Sequence, residues 1–254
     1  MRFPDFTLTD KVVLLTGGDK GIGQGIAVAM AHAGATVALT TRHLPRADET
    51  IRMIEGLGRP CAAFELDVTQ VKTIPAVVDQ VVAKFGRIDI LVNNAGLNIP
   101  KAPFEITEET WDTVYDANVK GLFFVSQSVG KVMAGQGGGK IVNIASQAGI
   151  VAMPRRVIYC STKAAVIHMT RVLALEWAPL NIQVNSVAPT FVRTPLTAPM
   201  LDDPDFAKYV DDMILLDRLG TPEDVAGAVI YLASPAADMV TGHTLLVDGG
   251  WTIH

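Results

Sequence analysis

Short apolar runs alternate with longer stretches of helical spacing along nearly the whole chain, and no other feature restricts the fold so strongly. The runs lie at 11–17 (KVVLLTG), 35–41 (ATVALTT), 60–66 (PCAAFEL), 88–94 (IDILVNN), 140–145 (KIVNIA), 181–188 (NIQVNSVA) and 243–247 (HTLLV). Between them, 22–33, 47–57, 71–85, 108–133, 157–178 and 222–233 carry apolar residues at helical spacing. This alternation predicts βαβ units, hence an α/β fold with one parallel sheet covered on both faces. Seven strands use nearly all of the 254 residues, so the chain reads as a single domain. The one long irregular stretch, 190–217, is rich in Pro, Asp and Met, and is read as a functional lid.

The first run passes into TGGDKGIG, residues 16–23, and then directly into a helix. Glycines at Gly17, Gly21 and Gly23 allow a tight turn and a close approach of backbone to a pyrophosphate, with Lys20 and Ile22 between them. The following helix N-terminus offers free N–H groups and a partial positive charge. A glycine-rich turn is a weak signal alone, since an ordinary tight turn needs the same residues. Three further motifs follow: NNAG at 93–96, a YxxxK pair at Tyr159 and Lys163, and VDGG at 247–250.

With these motifs in this order, the chain resembles the short-chain dehydrogenase/reductase family over its whole length. The resemblance implies a Rossmann-like, doubly wound sheet and a nicotinamide cofactor. It implies catalytic roles for Asn118, Ser146, Tyr159 and Lys163: Tyr159 as proton donor or acceptor, Ser146 on the substrate oxygen, Lys163 on the nicotinamide ribose and Asn118 on a water in a proton relay. Tyr159 and Lys163, four apart on a helix, share one face, and an ammonium near a phenol favours the phenolate. Asn94, Ala95 and Gly96 are expected along the cofactor, Asn93 as a tie between strands, and Asp67 and Val68 at the adenine, although Asp67 reads equally as a surface carboxylate. Pro189, Val192 and Thr194 fit the family's PGxxxT, expected near the carboxamide; Thr190 replaces its glycine, which puts the local backbone path in question.

An acid at the end of the second strand would bind a ribose 2′-hydroxyl, whereas an arginine accommodates a 2′-phosphate. Here the end reads Thr40-Thr41-Arg42-His43. Arg42 with Lys20 favours NADP(H), Asp19 opposes it, and NAD(H) stays open as the alternative. Substrate contacts are expected from Ser146, Gln147, Arg156 and Tyr159; Arg155 and Arg156 in MPRRVIY suit a carboxylate or hydroxyls, or else face solvent or a neighbouring subunit. The SQAG wording resembles sugar, polyol and sugar-acid dehydrogenases, with a 3-oxoacyl-thioester (acyl-carrier-protein) reductase as the alternative. A dinucleotide-binding scaffold without turnover is disfavoured because Ser146, Tyr159 and Lys163 are all retained.

Composition excludes other classes. Hydrophobic residues make up 49% and charged residues 19%, which rules out disorder. A net charge of -5 argues against a nucleic-acid partner. No apolar run approaches the roughly 18 residues a membrane helix needs, and MRFPDFTLTD lacks the order of a signal peptide, so a cytoplasmic protein without a membrane partner is expected. Cys61 and Cys160 are too few for a disulfide framework or a cysteine zinc site, and no metal is expected. The resemblance also implies a homo-oligomer, a tetramer, with Trp111, Phe123, Phe124, Met169 and Trp177 suited either to its surfaces or to the core.

Overall fold

Strand β1 (Val12–Thr16) is buried along its entire length, as expected of a strand with helices on both sides. Its neighbours are β2 (Thr36–Thr41), β3 (Cys61–Glu65), β4 (Ile90–Asn93), β5 (Gly139–Ile144), β6 (Ile182–Pro189) and β7 (Thr244–Val247). All pair in parallel in one sheet of order β3-β2-β1-β4-β5-β6-β7. The computed structural model describes residues 3–195 and 197–253.

The helices are α1 (Gly21–His32), α2 (Asp48–Gly56), α3 (Ile74–Phe85), α4 (Glu108–Tyr115), α5 (Leu122–Gly135), α6 (Val157–Trp177), α7 (Ala198–Leu201), α8 (Pro204–Met213) and α9 (Pro222–Ala233). Alternation along β1 sends Val13 and Leu15 to one face, where they meet Ile26 and Met30 of α1 and Val225 and Val229 of α9. Leu14 points the other way, toward Val78 and Val81 of α3, Val125 of α5 and Leu173 of α6. Phe123, Phe124, Met169 and Trp177 pack against this second cluster, whereas Trp111 stays partly exposed and stacks on Tyr115 at 4.9 Å.

Two stretches differ from the sequence reading. The helix expected over 108–133 is interrupted by a π-helical turn, Asp116–Gly121, between α4 and α5. The stretch 190–217 is not irregular throughout, since α7 and α8 lie within it. Asp203 caps α8 by accepting from the Asp205 and Phe206 backbone N–H groups, Pro204 opens it, and Phe206, Val210 and Met213 form its apolar face. These cues fill only three turns, and a Pro- and Asp-rich composition hides a helix so short.

Side chains also tie the sheet to its helices. The Asn93 amide donates to Asn143 Oδ1 at 2.9 Å and to Ser126 Oγ at 2.8 Å, and the Asn143 amide donates to Thr170 Oγ1 at 2.9 Å. Asn93 thus joins β4 to β5 and α5, as its motif suggests, while Asn143 reaches α6. Removing Asn143 strands the buried donor of Asn93, and Asn143→Ala should lower unfolding free energy by about 3 kcal/mol in urea titrations.

Candidate active site

The order of the strands reverses direction between β1 and β4, and ligands of open α/β sheets bind beyond the carboxyl ends of strands at such a point. Here the two strand ends are fastened together. Thr16 Oγ1 accepts from the backbone N–H of Asn94 and of Ala95, each at 3.0 Å, and the Asn94 amide donates to the carbonyls of Thr16 and Gly17 at 3.0 and 2.8 Å. Gly17 takes φ +67°, and a Cβ on Gly23 would strike the Gly17 carbonyl. The turn is therefore a cradle that side chains would fill. No side chain caps α1, which leaves its first N–H groups for an anion. These features fit the pyrophosphate of a dinucleotide.

From this cradle a cleft of about 300 Å³ runs in both directions along the sheet edge. One end is lined by Asp19, Lys20, Thr41, Arg42, Asp67 and Val68. Thr41 is buried, and its hydroxyl accepts from His43 N–H at 3.3 Å, so no acid terminates β2. The Asp67 carboxylate is engaged by Thr69, accepting from its N–H at 3.0 Å and its hydroxyl at 2.8 Å. A third cation, Arg46, lines the same end. It lies in the 3-10 turn Leu44–Ala47, four residues beyond Arg42, and nothing in the sequence sets it apart from a surface arginine.

At the other end stand Ser146, Gln147, Arg156, Tyr159 and Lys163. Ser146 leaves β5 and caps the turn Gln147–Gly149, accepting from Ala148 N–H at 3.2 Å. Its hydroxyl donates to Gln147 Oε1 at 2.8 Å, and Gln147 Nε2 turns to the sulfur of Met153. Gln147 thus contacts Ser146 and Met153 while lining the cleft, where the sequence places it toward substrate. Burial pushes the Tyr159 phenol above its ordinary pKa, while the Ser146 hydroxyl pulls it down less strongly. Lys163, 5% exposed, donates to the Ile144 carbonyl at 2.7 Å, and burial pulls its pKa from 10.5 to about 8.

Asn118 alone among the expected residues does not line the cleft. It sits in the π turn with both amide hydrogens engaged: Oδ1 accepts from Leu97 N–H at 2.8 Å, and Nδ2 donates to the Leu97 carbonyl and to Thr162 Oγ1. It braces the 97 loop against α6, close behind Gly96 and Lys163. Pro189, Val192 and Thr194 line the cleft, and Thr194 reaches the glycine turn, where a Cβ on Gly21 would touch it. Thr190 needs no left-handed backbone, so the path survives the loss of glycine. Phe191, Phe206, Tyr209 and Trp251 make an aromatic cluster that packs α8 over the 148–160 loop.

A family model described as enoyl-(acyl carrier protein) reductase matches residues 17–252. The 2-dehydro-3-deoxy-D-gluconate 5-dehydrogenase of Dickeya dadantii is 42% identical over 97% of each chain. The chain is a short-chain dehydrogenase/reductase. An NAD-dependent glycerol dehydrogenase of Listeria innocua is 38% identical over 98% of this chain and 96% of its own. A solved gluconate 5-dehydrogenase from Burkholderia cenocepacia, in complex with NADP and tartrate, superposes with a TM-score of 0.95 at 34% identity, covering 99% of this chain and 98% of its own. Members of this family are oxidoreductases acting on CH–OH groups with a nicotinamide cofactor, and so is this enzyme.

The buried ammonium has a measurable consequence in this dehydrogenase. Because the folded-state pKa of Lys163 lies below its unfolded value, the unfolded chain binds more protons between about pH 8 and 10.5. The penalty is full below about pH 8 and fades as pH rises to 10.5. Lys163→Met should therefore raise the stability of the cofactor-free protein at pH 7 by up to about 3 kcal/mol, with the difference closing above pH 10.5, as read by urea unfolding across pH.

Proposed function

We propose that this short-chain dehydrogenase/reductase moves a hydride between NADP(H) and a secondary alcohol or ketone of a sugar, polyol or sugar acid, in the cytoplasm. One observation carries the reading: the Ser146 hydroxyl, the Tyr159 phenol and the buried Lys163 ammonium share a cleft with a glycine cradle fit for a dinucleotide. The bound nicotinamide supplies or accepts the hydride, and the chain's own groups handle the proton. With its pKa raised, Tyr159 is protonated at neutral pH and able to give a proton to a carbonyl oxygen. Ser146, held in place by the Ala148 N–H, would turn its one hydroxyl proton from Gln147 Oε1 to that oxygen as charge develops on it. Gln147 is then a positioning residue for Ser146. In the oxidative direction Tyr159 is the base and must first lose its proton, so oxidation should gain from rising pH.

Gly17, Gly21, Ile22 and Gly23 would hold the pyrophosphate, Asn94, Ala95 and Gly96 the length of the cofactor, Lys163 the ribose next to the nicotinamide, and Pro189, Val192 and Thr194 its carboxamide. Asp67 and Val68 would meet the adenine. Asn118 acts through the backbone it braces: both Nδ2 hydrogens are engaged, and the remaining lone pair of its Oδ1 would accept from a water of the proton relay. Tyr159→Phe should keep the fold and the NADPH affinity, read by fluorescence titration, while turnover falls about 1000-fold. Normal turnover would reject the assignment.

Lys20, Arg42 and Arg46 line the same end of the cleft as Asp19 and Asp67, and three cations against two carboxylates, of which Asp67 is engaged by Thr69, support NADP(H). The NAD dependence of the Listeria relative marks the alternative. Arg42→Ala should reduce the NADP-over-NAD preference in kcat/KM by roughly 10- to 100-fold, and an unchanged ratio would remove Arg42 from the site. The relatives' sugar-acid and glycerol activities support small polyhydroxylated substrates. A screen of aldonates, alditols and 3-oxoacyl thioesters separates this class from the acyl alternative. A homotetramer follows by resemblance, and the exposed Val172 and Leu175 of α6 with Trp111 of α4 offer it surface.

A further inference from the structure

Arg155 and Arg156 are adjacent in sequence and opposite in fate. Arg155 takes a left-handed backbone, φ +58°, and its exposed guanidinium pairs with Glu105 at 3.3 Å. Arg156, at the start of α6, turns inward, and only 7% of it is exposed. Among the described residues no carboxylate pairs with it. Its Nη2 lies 3.0 Å from the sulfur of Met200, and its guanidinium sits over the ring of Phe206 at 5.6 Å. Both are soft, neutral partners contributed by α7 and α8.

The surrounding sequence makes this isolation notable, because 190–217 carries six aspartates. Asp202 pairs with Arg193, Asp203 caps α8, and Asp212 pairs with Lys208. An anionic lid therefore passes over a buried cation without neutralising it. Burial pulls the Arg156 pKa down, the direction expected of a cation short of compensation. An unpaired buried guanidinium is costly, and a planar two-oxygen anion is the partner its fork of donors matches. Arg156 lines the cleft beside Gln147 and Tyr159, at the opposite end from Arg42 and Lys20.

We propose that Arg156 is the carboxylate anchor of the substrate site, selecting sugar acids over the corresponding neutral polyols. This inference rests on the dehydrogenase reading above and narrows its substrate class. The carboxylate would complete the charge of Arg156 beneath α7 and α8, and hold the reacting carbon of an acid substrate at Tyr159 and Ser146.

The test uses the full-length enzyme with NADP and three pairs that differ only in carboxylate against hydroxymethyl: gluconate and glucitol, threonate and threitol, glycerate and glycerol. The wild type should favour the acid within at least one pair. Arg156→Met should lower the acid-to-polyol ratio of kcat/KM by about 100-fold, chiefly through the KM of the acid, with Arg156→Lys recovering part of it. Calorimetric titration with the favoured acid should show the same loss of binding. A merely structural arginine would lower melting temperature when replaced, whereas an anchor freed of its uncompensated charge should leave it unchanged or raise it. A wild type that prefers the polyols, or an acid-to-polyol ratio that Arg156→Met leaves unchanged, overturns the anchor while the dehydrogenase reading stands. Turnover of none of the six, with a 3-oxoacyl thioester reduced instead, overturns both.

Discussion

The clamp between the ends of β1 and β4 is the interaction on which the site depends. A parallel sheet places all its carboxyl ends on one edge, but edge alone does not make a binding surface. Thr16 and Asn94 exchange hydrogen bonds across the point where strand order reverses, drawing the glycine turn and the NNAG segment into one continuous backbone surface. Everything else on that edge is placed relative to it. Thr194 reaches the turn, and Gly96 sits against the Asn118 brace that holds α6 and so Lys163.

The cleft it organises holds charge at both ends and treats the two ends differently. At the ribose end Lys20 and Arg42 are exposed, so water screens them and each contributes modestly until a phosphate binds. At the reacting end Lys163 and Arg156 are buried. Their charges are paid for by the fold in advance of any ligand, and burial already acts on both pKa values in the direction that favours finding a partner. Preorganised charge of this kind is what a site needs if little reorganisation is to accompany reaction.

Much of this was legible in the chain. All seven strands fall within the runs read from apolar patterning, save for a residue at the edges of β5 and β6; the central strands read most plainly, since burial on both faces leaves no ambiguity of facing. The residues expected to touch cofactor or substrate, Asn118 aside, converge on one cleft because they stand at strand ends, in the glycine turn or at the start of the one helix that crosses the site. Less legible were Arg46, α8 and the π turn. Arg46 looks like any surface arginine until the turn after β2 places it on the cleft that Lys20 also lines. The helix α8 owes its existence to aromatic packing on Phe191 and Trp251, far away in sequence. Asn118 illustrates the limit from the other side: its spacing marks it as important, but only its partners reveal that the amide is a brace.

By itself the sequence determined the layered α/β architecture, the dinucleotide cradle and the identities of the Ser-Tyr-Lys residues. Those depend on local patterning and on motifs whose spacing is preserved along the chain. The tertiary structure decided which of two adjacent arginines is buried at the cleft and which is exposed. The reason is a left-handed turn at Arg155 and the packing of Met200 and Phe206 over Arg156, contacts that join α6 to residues some 44 to 50 positions away. Charge in a sequence is only a count, and becomes chemistry when packing determines which charges meet water and which do not.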